Sequence, residues 1–156
     1  MLNPFAEDSF QKGMAALDGG RRREALAFFE AALELERRSG GRRRPEARYL
    51  SYYGLCLALE ANDVREALRY CREAVTIEGY NSDIRCNLGR VLMLAGRRRD
   101  AYVSFVHGLR IEPSHRTILK ALRGMGVRRR PIVPFLPRNN PVNVLLGRMR
   151  VWNLAS

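Results

Sequence analysis

Apolar residues in this chain recur at helical spacing. Between Asn81 and Ser114, the set Ile84, Leu88, Val91, Leu92 and Ala95 falls on one helical face. After a break at Gly96 and Arg97-Arg98-Arg99, the pattern resumes with Ala101, Val103, Phe105, Gly108, Leu109 and Ile111. The stretch predicts two antiparallel helices joined by a tight turn. Small residues stand where the helices must touch. Gly89 on the first and Ala101 and Gly108 on the second let the backbones approach where larger side chains would hold them apart.

The same spacing occurs twice more. Gly13 is followed twelve residues later by Ala25, then by Phe29, Ala32 and Leu33. Gly54 is followed thirteen residues later by Ala67, then by Cys71, Ala74 and Val75. Around these positions the pattern predicts a first helix over Ala6–Leu17, striped by Phe10, Met14 and Leu17 and ended by Gly19-Gly20. Met1–Phe5 reads as a lead-in, with Pro4 keeping Asn3 out of helix. A second helix is expected over Arg22–Arg38 and a third over Glu46–Ala61. The fourth, Arg65–Ile77, would be capped by Asp63 with Glu66 three residues on. Ser114 is placed to cap a seventh helix over His115–Gly124, with Ile118, Leu119, Leu122 and Met125 spaced for burial.

On these residues the chain resembles the tetratricopeptide repeat (TPR) family, a helix-turn-helix repeat of about 34 residues. The repeats align over about 6–39, 47–81 and 82–115, and the helix 115–124 would close the stack. Three features depart from the pattern. Only the third repeat carries the late proline, Pro113. The second has one extra residue in or near its inter-helix turn, and Gly40–Pro45 is inserted between repeats one and two. The resemblance implies an all-α fold, a right-handed α-solenoid, with a TPR domain over 1–126.

Beyond it, 127–156 changes character. Pro131, Pro134, Pro137 and Pro141 exclude a regular helix over 127–141. Asn140-Pro141 is a helix start. Val142, Leu145, Leu146, Met149 and Trp152 would then form one face of a short amphipathic helix. This basic, proline-rich extension is too apolar at Phe135, Leu136, Leu145, Leu146, Met149 and Trp152 to stay in water, so it must dock on this chain, a partner protein or a membrane surface.

Charge sharpens that division. The net charge is +12, yet residues 116–156 alone carry nine basic and no acidic residues. All the basic residues except Lys12 and Lys120 are arginines, a bias that a GC-rich bacterial genome produces unaided. No basic-then-apolar leader and no run of transmembrane length is present, so a cytoplasmic protein is expected. Cys56, Cys71 and Cys86 show no ligand spacing and read as buried small hydrophobes. His107 and His115 read as surface or interface residues. No nucleophile, phosphate-loop or metal motif is found, so no catalytic residue, cofactor or metal is expected.

The resemblance implies a groove lined by the first helix of each pair. It would present Glu7, Phe10, Gln11, Met14 and Leu17, then Arg48, Ser51, Tyr52 and Leu55, then Asp83, Cys86, Asn87, Arg90 and Met93. The Lys, Arg and Asn set with which some TPR proteins clamp a chaperone carboxylate is absent, its positions reading Phe10, Met14, Tyr52, Asp83 and Asn87. The expected function is therefore a protein-interaction adaptor holding an apolar partner segment, unless the chain's own tail fills the groove. Exchange of that tail between copies would make a homo-oligomer. Arg21–Arg23 and Arg97–Arg99 fall in equivalent turns, with Arg65 near the intervening one, forming a basic edge; Arg42–Arg44 would lie on the other edge. That edge and the tail give the alternative, a nucleic-acid-associated protein, distinguishable by steep salt dependence. An anionic membrane is a further possible surface.

Overall fold

A computed structural model of the chain describes residues 3–39 and 46–125. The chain divides into units 1–124 and 125–156, and the second lies beyond the described residues from its second position onward. The amphipathic helix expected over 142–152, the extended stretch before it and the Gly40–Pro45 insert therefore fall outside the described residues.

The described part is all helical. Helix α1 spans Pro4–Asp18 and α2 Arg22–Ser39. Helix α3 spans Ala47–Cys56 and continues as a π-helical turn over Leu57–Ala61. Helices α4 (Val64–Ile77), α5 (Ser82–Leu94), α6 (Arg98–Ile111) and α7 (Arg116–Met125) follow. Helices α1/α2, α3/α4 and α5/α6 pack as hairpins, and α2 against α3 and α4 against α5 join successive hairpins into an α-solenoid.

Glycine sets the closeness of each hairpin. A Cβ on Gly89 would lie 2.4 Å from the Phe105 ring, and one on Gly13 would lie 2.6 Å from the Phe29 ring. Both rings are fully buried, and burying a side chain of this size stabilises by about 1.5–3 kcal/mol. In the middle hairpin Gly54 faces Ala67 O and Cys71 Sγ, each 2.9 Å from a Cβ built there.

The middle hairpin keeps this register despite its extra residue. The sequence placed that residue in or near the inter-helix turn; the structure places it in the last turn of α3, which widens to π geometry over Leu57–Ala61. A π turn takes up one additional residue without rotating what precedes it. Gly54 thus still meets Ala67. Asn62, at φ 54°, then ends the helix in the left-handed region, which asparagine tolerates better than most residues.

The outer two turns share one design. Gly20 and Gly96 have φ of 74° and 71°. In each, the glycine N–H returns to a carbonyl three residues back (Leu17, Met93), and the next arginine's N–H reaches the carbonyl five residues back (Ala16, Leu92). This is the Schellman closure of a helix C-terminus, and it favours glycine because a Cβ is strained at that φ.

Several sequence expectations are corrected. Helix α1 starts at Pro4, within the expected lead-in: Asn3 is the cap, accepting a hydrogen bond from Phe5 N–H at 3.0 Å, with proline inside the first turn. Asn3 Nδ2 also donates to Leu35 O at 3.2 Å, pinning the start of α1 to the end of α2. Helix α7 begins at Arg116, capped not by the exposed Ser114 but by His115, whose Nδ1 accepts from Ile118 N–H at 3.4 Å. Of the two histidines expected at a surface or interface, His107 is exposed and His115 is buried between α5 and α7. Val103 and Ile111, expected in the core, are 54% and 39% exposed, because the apolar stripe of α6 is narrower than its apolar content.

Candidate functional site

Helices α1, α3 and α5 are the first members of their hairpins and form one face of the array. Helix α3 packs on α5, and polar contacts tie α1 to α3. Glu7 is the hub of that tie. It accepts from Arg48 Nη2 at 2.6 Å, Arg48 Nη1 at 3.3 Å, Tyr49 Oη at 2.7 Å and Gln11 Nε2 at 2.8 Å. Partial burial pushes the Glu7 carboxyl up, but the hydrogen bonds from Gln11 and Tyr49 and the Arg48 cation outweigh it, and its pKa lies below the ordinary value. The Tyr49 hydroxyl moves the other way, raised by burial and by the Glu7 carboxylate.

Beneath this polar tie lies an aromatic cluster. The Phe10 ring centroid is 4.9 Å from Tyr49, 5.6 Å from Tyr52 and 5.5 Å from Phe29. The Arg48 guanidinium stands 5.1 Å from the Phe10 centroid, in cation–π range. Arg48 is therefore an inter-helix strut with three interactions at once, and its half-buried side chain is already engaged.

Further along the face, α3 and α5 are joined in the core by Asn87 Nδ2, which donates to Ser51 Oγ at 3.1 Å. Both residues are buried. The half-buried Tyr52 hydroxyl is raised by burial first and then by Asp83, with Asp18 and Arg90 also acting on it. Asp83 is held from α7's side by His115 Nε2 at 3.0 Å. With Nδ1 accepting from Ile118, the geometry assigns the His115 proton to Nε2. Arg90 has no ion-pair partner among the described residues and is half-buried, and its charge opposes the upward shifts of Tyr52, Cys56 and Cys86.

The expected groove residues therefore separate into two groups. Met14, Leu17, Arg48, Tyr52, Arg90 and Met93 are half-buried and present surface. Phe10, Leu55, Cys86 and Asn87 are buried, at 4%, 0%, 2% and 3% exposure, and act in packing. Spacing along the chain puts both groups on the same helices and does not separate a groove-facing position from one turned slightly into the neighbouring helix. Asp18 was missed, since it lies at the very end of α1. The tail-docking residues Phe135, Leu136, Leu145, Leu146, Met149 and Trp152 lie outside the described residues.

The three cysteines are free and buried. Burial pushes Cys56 and Cys86 up to about 11 and Cys71 up to about 12, so none is a ready thiolate. Among the described residues no cluster of His, Cys, Asp and Glu could hold a metal, and no helix is long and apolar enough to cross a membrane. At the basic edge, the first arginine of each triplet is used by its own turn: Arg21 pairs with Glu24 at 2.9 Å and Arg97 with Asp100 at 2.6 Å. Arg42–Arg44 lie outside the described residues.

Comparison with known proteins bears on the fold. Residues 9–39, the first hairpin, match the family model of the tetratricopeptide repeat. The fold is that of a TPR array. The TPR domain of Arabidopsis OM64 is similar over 78% of this chain and 93% of its own, at 25% identity and a TM-score of 0.61. YrrB, described as a TPR protein with an unusual peptide-binding site, is similar over 78% of this chain and 58% of its own, at 20% identity and a TM-score of 0.58. MamA matches over 79% of this chain and 70% of its own, at 18% identity and a TM-score of 0.56. No curated protein sequence matches.

Proposed function

We propose that this chain is a protein-interaction module, a scaffold rather than an enzyme, that holds a segment of a partner polypeptide along the α1–α3–α5 face. The observation that carries the reading is the composition of that face. Met14, Leu17, Tyr52 and Met93 offer half-buried apolar and aromatic surface beside Arg90. A guanidinium without an ion-pair partner among the described residues is suited to a bidentate pair with a partner carboxylate. Thioether and aromatic contacts supply affinity without demanding one side-chain shape. The ligand is accordingly an apolar segment, extended or helical, carrying at least one acidic residue. The rigid Glu7–Arg48–Tyr49 tie keeps the face preorganised, which lowers the entropy cost of binding.

The reading extends to the chain's organisation: a TPR domain over 1–126 and a basic extension over 127–156 whose Phe135, Leu136, Leu145, Leu146, Met149 and Trp152 make a second contact. A bacterial cytoplasm is the proposed setting, supported by three free cysteines and the arginine bias. The test is quantitative affinity capture with the full chain after nuclease treatment, comparing wild type with Tyr52→Ala and Arg90→Glu. The expected result is a defined protein captured by wild type and lost from both variants. Equal capture by all three would remove the face from the argument. Capture abolished by nuclease would replace this reading with phosphate binding at the arginine edge.

A further inference from the structure

A second concave surface lies away from the α1–α3–α5 face. It is a cleft of about 460 Å³ between α2 and the α3–α4 hairpin, within the size range of ligand sites. Its floor is a tyrosine pair, Tyr53 of α3 and Tyr70 of α4, with ring centroids 4.9 Å apart at 87°. Its wall is α2, where exposed Ala27 and Ala31, one turn apart, leave the space that larger side chains would fill.

The charges on that wall are selectively occupied. Glu34 is engaged by Arg38 at 2.9 Å. On the floor side, Arg69 stands 4.4 Å from the Tyr70 centroid and is pinned by Glu66. Glu30 and Arg37 also line the cleft, and neither has an ion-pair partner among the described residues. They are seven residues apart, two helical turns, so they sit about 10 Å apart on one side of α2. Both bear on the Tyr53 hydroxyl, Glu30 and Arg37 acting in opposite directions after burial. One negative and one positive group thus flank an alanine-lined, tyrosine-floored trough.

We infer that this cleft is a second docking site, for an amphipathic helix of a partner protein. That helix would present a basic and an acidic residue two turns apart, with a large apolar side chain between them. Its cation meets Glu30, its carboxylate meets Arg37, and its apolar residue enters over Ala27 and Ala31 onto Tyr53 and Tyr70. Two opposite charges at fixed spacing favour such a helix over a uniformly basic or acidic one, because like charges brought together oppose binding.

The probes are three synthetic alanine-based helical peptides with leucine between the charged positions: Lys/Glu, Lys/Lys and Glu/Glu, each pair seven residues apart. Each is titrated into the full-length, nitrogen-15-labelled protein, with the amide shifts of Tyr53 and Tyr70 as readout. Wild type should bind Lys/Glu tightest, by roughly two- to fivefold over the others, the scale of an exposed ion pair. Glu30→Arg should switch the preference to Glu/Glu, and Arg37→Glu to Lys/Lys. Both residues are exposed, so neither variant disturbs the core. Absence of shifts at Tyr53 and Tyr70, or a preference unaltered by the two variants, would overturn the assignment. Arg90→Glu, a charge change on α5, should leave this titration unchanged, so its outcome is separate from that of the α1–α3–α5 face.

Discussion

Gly89→Ala adds one methyl group to a helix and should nevertheless destabilise the protein. The added Cβ would stand 2.4, 2.6 and 2.8 Å from three atoms of the Phe105 ring. Carbon atoms pack best at about 3.5–4.0 Å, so the ring must retreat by about 1 Å. Phe105 is 0% exposed, so the ring cannot swing out into solvent. Overpacking of this kind costs about 1–3 kcal/mol, and a contact this short belongs at the upper end. Alanine is the better helix former by about 1 kcal/mol. The net expectation is a loss of about 1–2 kcal/mol. Gly124 in α7 is the internal control: a Cβ there meets no described residue within 4 Å, so Gly124→Ala should gain up to about 1 kcal/mol. Urea unfolding followed by far-UV circular dichroism measures both. The contact itself is isolated by adding Phe105→Leu to Gly89→Ala. The smaller side chain should relieve the clash, making the double variant more stable than the sum of the single losses by about 1 kcal/mol. If Gly89→Ala is neutral or stabilising, close approach at Gly89 is not what sets the α5–α6 hairpin.

Three further outcomes are expected. Ser51→Ala should cost about 1–3 kcal/mol in urea unfolding, since it strands the buried Asn87 amide that donates to Ser51 Oγ at 3.1 Å. His115→Ala removes the acceptor for Ile118 N–H and the contact to Asp83. It should cost about 1 kcal/mol, as other lost caps do, and hydrogen exchange should accelerate in α7 while the α1–α2 hairpin keeps its protection. Glu7 links stability to pH. Its folded pKa lies below its ordinary value of 4.5, so its stabilisation is fully present above about pH 4.5 and is lost as pH falls through the folded value. Urea midpoints measured down that range should fall less steeply in Glu7→Gln than in wild type.

Much of this architecture was legible in the residue order. The glycine-to-alanine spacings marked each hairpin, and all three glycines do lie against the partner helix. Asp63 announced its helix and acts as its cap, accepting from Glu66 N–H at 3.0 Å; Asn81 caps α5 in the same way, accepting from Asp83 N–H at 3.0 Å, a role the spacing did not point to. The thirteen-residue spacing in the middle repeat was visible too, but not its solution. A turn of loop and a π turn both absorb one residue; packing of Gly54 against Cys71 selects the second, because it preserves the register. The Asn3-Pro4 pair carries two opposed signals: proline disfavours helix at the residue before it, yet asparagine before proline also starts a helix, and in α1 the second prevails.

What the sequence determined alone is what repeats at short range: helix identity, hairpin pairing, the helix ends at Gly20 and Gly96, and the burial of the three cysteines. These follow from local propensity and periodicity, which act over one or two turns. Tertiary structure decided what depends on angles between helices. It set Phe10, Leu55, Cys86 and Asn87 into the packing while leaving Tyr52, Arg90 and Met93 at the surface, a difference of a fraction of a turn. It placed His115 against Asp83, 32 residues away, and opened the cleft in which Tyr53 and Tyr70 face Glu30 and Arg37. Each of these joins residues on different helices, and no spacing along one helix encodes the distance between two.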